Sequence, residues 1–297
     1  MSVDDLSEHK HDRLVTSVDD SSPLVSVIVP TKNSSDWIGK CLWSVLNQTY
    51  RKIEIIVIDN FSKDGTRDIA LALGARVLVK GPERSAQLNY GAKAAKGKYL
   101  YRIDADFILE PNVIEEAVSI CERQGFDAVT IHVISDPSIS FWAEVRRFER
   151  EMRREDAFNV AARFVKREKF LQVGGFDANL VAGEDYDLHT RLLLAGARIG
   201  RISSCETHIG EPASIREVAR NFFYLGTTFG AYLRKHRTTA VVQFSPVKAP
   251  YLRNFRTFAR YPTLTIGFIT YQVVRYIAAA LGFCVSLKEM FRNSDSE

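Results

Sequence analysis

Between Leu24 and Asp106 the chain alternates between two hydrophobic periods, and this alternation limits what it can fold into more than any other feature. LVSVIVP (24–30), KIEIIVIDN (52–60), ARVLVKG (75–81) and KYLYRIDAD (98–106) are apolar runs of strand length, the pattern of strands covered on both faces. Between the first two, SSDWIGKCLWSVLNQ (34–48) puts Ile38, Leu42, Val45 and Leu46 on one helical face, with a serine or Asp36 available as its cap. DGTRDIALALG (64–74) reads as a short helix stopped by Gly74, and RSAQLNYGAKAAKG (84–97) as an alanine-rich helix. Strand and helix joined by short links predict an α/β fold, a mostly parallel sheet with helices on both faces. Such sheets bind ligands at the C-terminal ends of their strands. Pro30-Thr31-Lys32, Asp59-Asn60, Lys80 and Asp104-Ala105-Asp106 fall at those ends.

No G-x-G-x-x-G follows the first strand and no G-x-x-x-x-G-K-[ST] occurs, which disfavours a dinucleotide fold and a P-loop. Further on, PNVIEEAVSICERQG (111–125) reads as a helix, DAVTIHVI (127–134) as a strand and SFWAEVRRFEREMRRED (140–156) as a helix. In VGGFDANLVAGEDYDLHTRLLLAGARIGRI (173–202) a glycine-rich turn leads into a helix near Glu184, and ARIGRIS forms another strand before His208. Cys41, Cys121, Cys205 and Cys284 lie far apart with no C-x-x-C, which suggests neither a zinc site nor a disulfide framework and fits a reducing compartment. Residues 1–22 are acidic and lack an apolar core. They read as a disordered tail rather than a signal peptide or membrane anchor.

YLYRIDADFILEPN (99–112) places two acids, Asp104 and Asp106, at the end of a buried-looking strand. That is costly unless a cation or a set of donors meets them. Taken singly, Asp104-x-Asp106 and Asp59-Asn60 read as turns, Glu184-Asp185 as an acidic first helical turn and His208 as a satisfied loop or core histidine.

Taken together and in order, VSVIVPTKN, the KIEIIVIDNFSKDGT stretch, DAD, VGGFD, GEDYDLHTRLLLAG and His208 resemble glycosyltransferase family 2 over roughly residues 24–210. The resemblance implies a GT-A fold and an inverting transferase that uses a nucleotide-sugar donor and a divalent cation, Mn²⁺ or Mg²⁺. It also implies roles. Pro30, Thr31, Lys32, Asp59, Asn60, Arg84, Asp104 and Ala105 would lie against the nucleotide, with Asp104 toward the ribose. Asp104, Asp106 and His208 would surround the metal, and Asp185 would be the catalytic base. Two positions depart from the common pattern: Asn60 stands where a second Asp is usual, and Phe107 where many members carry another acid. The chemistry is consistent, because a leaving nucleoside diphosphate is a developing anion that a carboxylate-held hard cation suits. A carboxylate at a helix N-terminus stays ionised and can take the acceptor's proton.

The last quarter differs from the rest. Residues 212–293 hold twelve Lys or Arg and two acids, +10, so the remainder of this +4 chain is −6. Within this quarter, TLTIGFITYQVVRYIAAALGFCVSL (263–287) has one charge, Arg275. It can be a tilted transmembrane helix, two interfacial segments flanking Arg275, or a buried helical hairpin. The reading is a GT-A catalytic domain at 23–211 and a basic helical region at 212–297. The protein would sit at the cytoplasmic face of the cell membrane, peripheral or anchored by that region. The acceptor would be lipid-linked, such as a polyprenyl phosphate or its glycosylated form, against an anionic membrane surface. Arginines interleaved with aromatics could instead stack on nucleic acid, but none is expected, since the adjacent apolar run would be unexplained. Two rivals remain: a nucleotidyltransferase that makes nucleotide sugars, and a non-catalytic nucleotide-sugar-binding module. PTKNSSDW is not the glycine-rich loop of the first, and the full acidic set argues against the second.

Overall fold

The computed structural model describes residues 21–156 and 161–294. Of the acidic tail expected at 1–22, all but Ser21 and Ser22 lie outside the described residues. The first half is the expected alternation: β1 (Val25–Thr31), α1 (Ser35–Leu46), β2 (Ile53–Asp59), α2 (Thr66–Ala72), β3 (Arg76–Val79), α3 (Arg84–Ala94) and β4 (Tyr99–Arg102). There follow β5 (Phe107–Leu109), α4 (Val113–Gln124), β6 (Ala128–Ser135), α5 (Phe141–Met152), β7 (Ala162–Lys166), α6 (Arg167–Gln172), α7 (Glu184–Leu194) and β8 (Ile199–His208). The eight strands form one sheet in the order β3-β2-β1-β4-β7-β6-β8-β5.

The strands β3, β2, β1 and β4 pair in parallel, with Thr31 opposite Asp59 and Asp59 opposite Val79. Their ends therefore form one rim. Gln87 of α3 ties that rim together, donating from Nε2 to the carbonyls of Thr31 (2.9 Å) and Ile58 (2.6 Å). The other half of the sheet is mixed: β7 is antiparallel to β4 and β6, β8 is parallel to β6, and β5 is antiparallel to β8.

Both faces are covered, as continuous apolar strands require. Val25, Val27 and Val29 pack with Ile38 and Leu42 of α1, Ala70 of α2 and Ile114 of α4. Ile28, Ile56 and Ile58 face the other way, onto Leu88 of α3, Phe170 of α6 and Leu188 of α7.

Two sequence expectations are corrected, and one departure from the common pattern finds its place. The fourth strand does not reach Asp106: it ends at Arg102 and turns through Asp104-Ala105-Asp106, closed by the Phe107 amide on the Asp104 carbonyl at 3.2 Å. Phe107, which stands where an acid is common, instead opens the edge strand β5 and is buried. His208 does not follow the strand containing ARIGRIS; it is that strand's last residue, directly opposite Phe107.

The basic region folds as α8 (Ile215–Lys235), α9 (Arg237–Gln243), α10 (Ala249–Arg253), α11 (Phe255–Arg260) and α12 (Pro262–Ser294). Ser214 caps α8 by accepting from the Glu217 amide. Residues 263–287 lie within one continuous helix of 33 residues, so they are not two segments split at Arg275. Arg275 stacks over Phe222, Gly226 meets Ala279 and Phe229 meets Phe283. The helices α8 and α12 therefore run in the same direction and are not a hairpin. A Cβ on Gly226 would lie 2.1 Å from the Ala279 carbonyl oxygen, and one on Gly282 equally close to that of Phe223. Glycine at both places lets the backbones touch. Phe268 and Tyr271 of α12 also pack with Val145 and Phe148 of α5.

Candidate functional site

The turn after β4 and the start of α7 meet through Arg84, the first residue of α3. Its Nε and Nη2 donate to the two carboxylate oxygens of Asp104 at 2.6 and 3.0 Å. Its Nη1 reaches Glu184 Oε1 at 2.9 Å and Asp185 Oδ1 at 3.3 Å. The fork is the bidentate arrangement that makes an Arg–carboxylate pair strong. Gly183 delivers the two acids. It has φ +82° at the N-cap of α7, and a Cβ there would strike the Tyr232 ring at 2.4 Å.

Arg102 Nη2 pairs with the other oxygen of Asp185 at 3.1 Å. Burial on its own would raise the Asp185 carboxyl, but Arg102 and then Arg84 hold it below the ordinary value. Asp104 is likewise held well below it, chiefly by Arg84 against the effect of burial. Glu184 goes the opposite way: burial first, then the charge of Asp185, push it up to about 7. Asp187, a neighbour in the same turn, is fully buried among Arg191, Lys235 and His236, which makes it a structural anchor.

Asp106 stands apart from this cluster. Its Oδ2 lies 3.0 Å from His208 Nε2, while His208 Nδ1 meets Glu211 Oε1 at 2.8 Å. Glu211 is buried and fixed in turn by Ser135 Oγ (2.7 Å) and Arg150 Nη1 (2.7 Å). Phe107 stacks on the imidazole with ring centroids 4.6 Å apart, and Arg163 covers the other ring at 4.8 Å. A carboxylate behind a histidine fixes the ring and its tautomer, which suits Nε2 to a metal. Asp106 and His208 thus form an acid–imidazole pair whose donor atoms suit a hard divalent cation. Among the described residues no group of three His, Cys, Asp or Glu is arranged to hold an ion by itself. Asp104, expected beside the metal, has both oxygens turned to Arg84.

At the other end of the rim, Asp59 is fully buried and accepts from Thr31 Oγ1 (3.2 Å) and the Ser62 amide (2.9 Å). The Asn60 amide donates to the Thr31 carbonyl at 2.8 Å. Pro30, Thr31 and Ala105 are buried, while Lys32 is exposed at the mouth. The expected nucleotide-contacting residues therefore line one rim. Sequence reasoning missed Arg102, Arg163, Gln87 and Glu211. Arg102 stood out only as a charge ending an otherwise apolar strand. Arg163 carried no such signal, because β7 went unrecognised.

A mixed α/β sheet with an acid-bearing turn after β4 defines the GT-A class, and solved structures agree. A mannosyltransferase from Pyrobaculum calidifontis, solved in complex with GDP-Man and Mn²⁺, superposes with a TM-score of 0.55 at 20% identity, covering 93% of this chain and 81% of that one. TarS of S. aureus gives 0.51 at 18% identity, over 85% of this chain and 55% of that one. The family itself follows from the sequence: residues 26–175 match the model of glycosyl transferase family 2, and the chain belongs to that family. An uncharacterised glycosyltransferase of Rickettsia typhi is 31% identical over 188 residues, 58% of this chain and 59% of its own. Glycosyltransferase AglE of Haloferax volcanii is 31% identical over 190 residues, 59% of this chain and 62% of its own. The chain thus spans about three fifths of the length of these relatives.

Proposed function

We propose that the protein transfers a sugar from a nucleotide-sugar donor to an acceptor hydroxyl or phosphate on a lipid-linked molecule at a membrane surface, with inversion and with a divalent cation. The observation that carries this reading is the juxtaposition of the Asp106–His208–Glu211 chain with the Arg84-bridged acids of the Asp104 turn and α7. Asp106 and His208 would hold the cation, which would supply neutralisation of the departing diphosphate. Thr31, Lys32, Asp59, Asn60 and Ala105 would bind the nucleoside, and Arg84 and Asp104 would position the ribose and sugar. The acceptor oxygen bonds to the anomeric carbon as the bond from that carbon to the diphosphate oxygen breaks, and the electron pair leaves with the nucleoside diphosphate. A hydroxyl acceptor gives its proton to Asp185. One displacement from the face opposite the leaving group inverts the anomeric centre.

One observation favours a second reading of the base. Glu184, pushed up to about 7, is better matched to taking a proton near neutral pH than an aspartate clamped by two arginines. The membrane part of the proposal draws on α12, which is long and apolar enough to cross a bilayer by length and composition. It also draws on the outward stripe Ile266, Ile269, Val273, Ile277, Leu281 and Val285, each at least 40% exposed.

A thermal-shift screen of nucleotide sugars with Mn²⁺ or Mg²⁺ tests the core reading, since a ligand that binds only the native state raises apparent stability. A cation-dependent rise with one nucleotide sugar is expected. No rise with any of them, or one independent of metal, overturns it.

A further inference from the structure

Beside the candidate catalytic acids lies a cavity of about 340 Å³ whose wall holds seven arginines against two acids, Glu184 and Asp185. The arginines come from four elements or their ends: Arg102 from β4, Arg146 and Arg150 from α5 with Arg153 and Arg154 just after it, Arg163 from β7 and Arg201 from β8. Buried acids hold several of them from behind. Glu149 serves Arg146 and Arg153, and Glu211 serves Arg150. Arg102 is different. It is 6% exposed, its Nη2 is committed to Asp185, and its Nη1 has no partner. A buried guanidinium nitrogen without an acceptor is costly, and neither carboxylate of the wall reaches Nη1. An anion would supply an acceptor, and the planar forks present there suit phosphate oxygens.

This cavity shares a wall with a second one. Arg146, Arg153, Gly183, Glu184 and Tyr186 also border a pocket of about 570 Å³ between α8 and α12. Its lining is mainly apolar and aromatic, including Phe222, Phe229, Phe244, Tyr276 and Phe283. A polar, cationic chamber at the candidate acids that continues into an apolar trough matches one kind of molecule.

We infer that the two cavities together form an acceptor site for a phosphate-bearing amphiphile, with the phosphate or diphosphate at Arg102, Arg163 and the α5 arginines and the hydrocarbon chain along the α8–α12 trough. This rests on the transferase reading and narrows its acceptor from any lipid-linked molecule to an anionic lipid phosphate. It also gives α12 a part in binding as well as in docking. The exposed apolar stripe of α12 adjoins the trough, so the same helix can meet a bilayer and a lipid drawn from it.

Calorimetric titration of the full-length protein tests the assignment with four probes: a short-chain isoprenyl monophosphate, the corresponding isoprenol, inorganic phosphate, and nucleoside diphosphate with Mn²⁺. The isoprenyl phosphate should bind at least ~10-fold more tightly than the alcohol or inorganic phosphate, as expected when a charge-assisted hydrogen bond and a buried chain act together. Arg102→Gln should weaken it by ~10-fold or more and leave nucleoside diphosphate affinity unchanged. Ala280→Phe, which fills the trough, should weaken the isoprenyl phosphate alone, and this second variant serves if Arg102→Gln does not fold. Arg123→Gln, on the exposed end of α4, should change nothing. Equal affinity for inorganic and isoprenyl phosphate would reduce the cavity to a free-phosphate site and overturn the amphiphile. Loss of nucleoside diphosphate binding in Arg102→Gln would assign the cavity to the donor. Normal nucleotide binding with no isoprenyl phosphate binding sinks this inference and leaves the transferase reading standing. Absence of nucleotide binding in the unsubstituted protein removes the transferase reading itself.

Discussion

Glu149→Gln should detach the C-terminal helix from the catalytic unit. Glu149 is 1% exposed, at the centre of a charge cluster that joins α5 to α12. Its carboxylate meets Arg146, lies 3.5 Å from Arg153 and 3.4 Å from Arg275, and accepts from Tyr251 Oη at 2.6 Å. Burial alone would raise this carboxyl, but Arg146, Arg275 and Arg153 overcome that and hold it far below the usual range. Glutamine keeps an acceptor for Tyr251 but leaves Arg146 and Arg275 without a counter-charge and Arg153 with Asp156 alone. Removing one partner from a buried ion pair costs about 3–5 kcal/mol. Gln retains one hydrogen bond, so the lower end, about 3 kcal/mol, is expected. For a chain of 297 residues the unfolding entropy is roughly 0.6 kcal/mol per kelvin, so Tm should fall by about 5 °C. Arg275→Met in the Glu149→Gln background should cost much less than in the unsubstituted protein, because the charge it removes is by then uncompensated. Calorimetry or tryptophan fluorescence on the four proteins of this cycle measures the coupling. A Tm unchanged in Glu149→Gln, or an Arg275→Met penalty equal in both backgrounds, would refute the idea that this cluster fastens α12.

Asp106→Asn should abolish cation-dependent nucleotide binding, since a neutral amide is a poor ligand for a hard cation; unchanged titration with nucleoside diphosphate and Mn²⁺ would remove Asp106 from the site. Asp185→Asn should keep donor affinity and lower transfer by ~10²–10⁴-fold; if Glu184→Gln alone shows that loss in single-turnover assays, the base is Glu184. The raised Glu184 fixes the sign of a pH effect: its folded form prefers the proton, so its contribution is full below the ordinary glutamate range and lost as pH rises toward about 7. Glu184→Gln should therefore raise Tm more at pH 8 than at pH 5, and an equal shift at both would contradict this. Binding to anionic vesicles should survive high salt and become salt-releasable when Ile269, Val273 and Ile277 are all changed to Ser, because exposed apolar contact is not screened as charge is; co-sedimentation that is salt-sensitive in both proteins would assign the attachment to charge alone.

The sequence by itself determined the first half of the fold and the identity of its rim. Four apolar runs at strand length, separated by helical periods, admit little besides a parallel sheet with two covered faces, and Val25, Val27 and Val29 against Ile28 alternate as that requires. Thr31, Asp59 and Asp104 had to fall at or just after strand ends, so their neighbourhood was legible in the sequence. What the sequence could not give was pairing between distant elements. Arg102 reads as one charge in an apolar strand and Arg163 as part of an unremarkable stretch; only the fold, which seats β7 beside β4 and α7 near the end of β4, brings Arg163 to Asp104 and Arg102 to Asp185. Phe107 looked like a departure from an acidic pattern because its partner, His208, lies 101 residues away on β8. Arg275 looked like an expensive charge inside a membrane span, since hydropathy counts the residues around it in sequence and not Glu149 across the helix interface. Local periodicity is written into neighbouring residues. The partners of a buried charge are chosen by the packing of whole elements, and that was decided only when the chain folded.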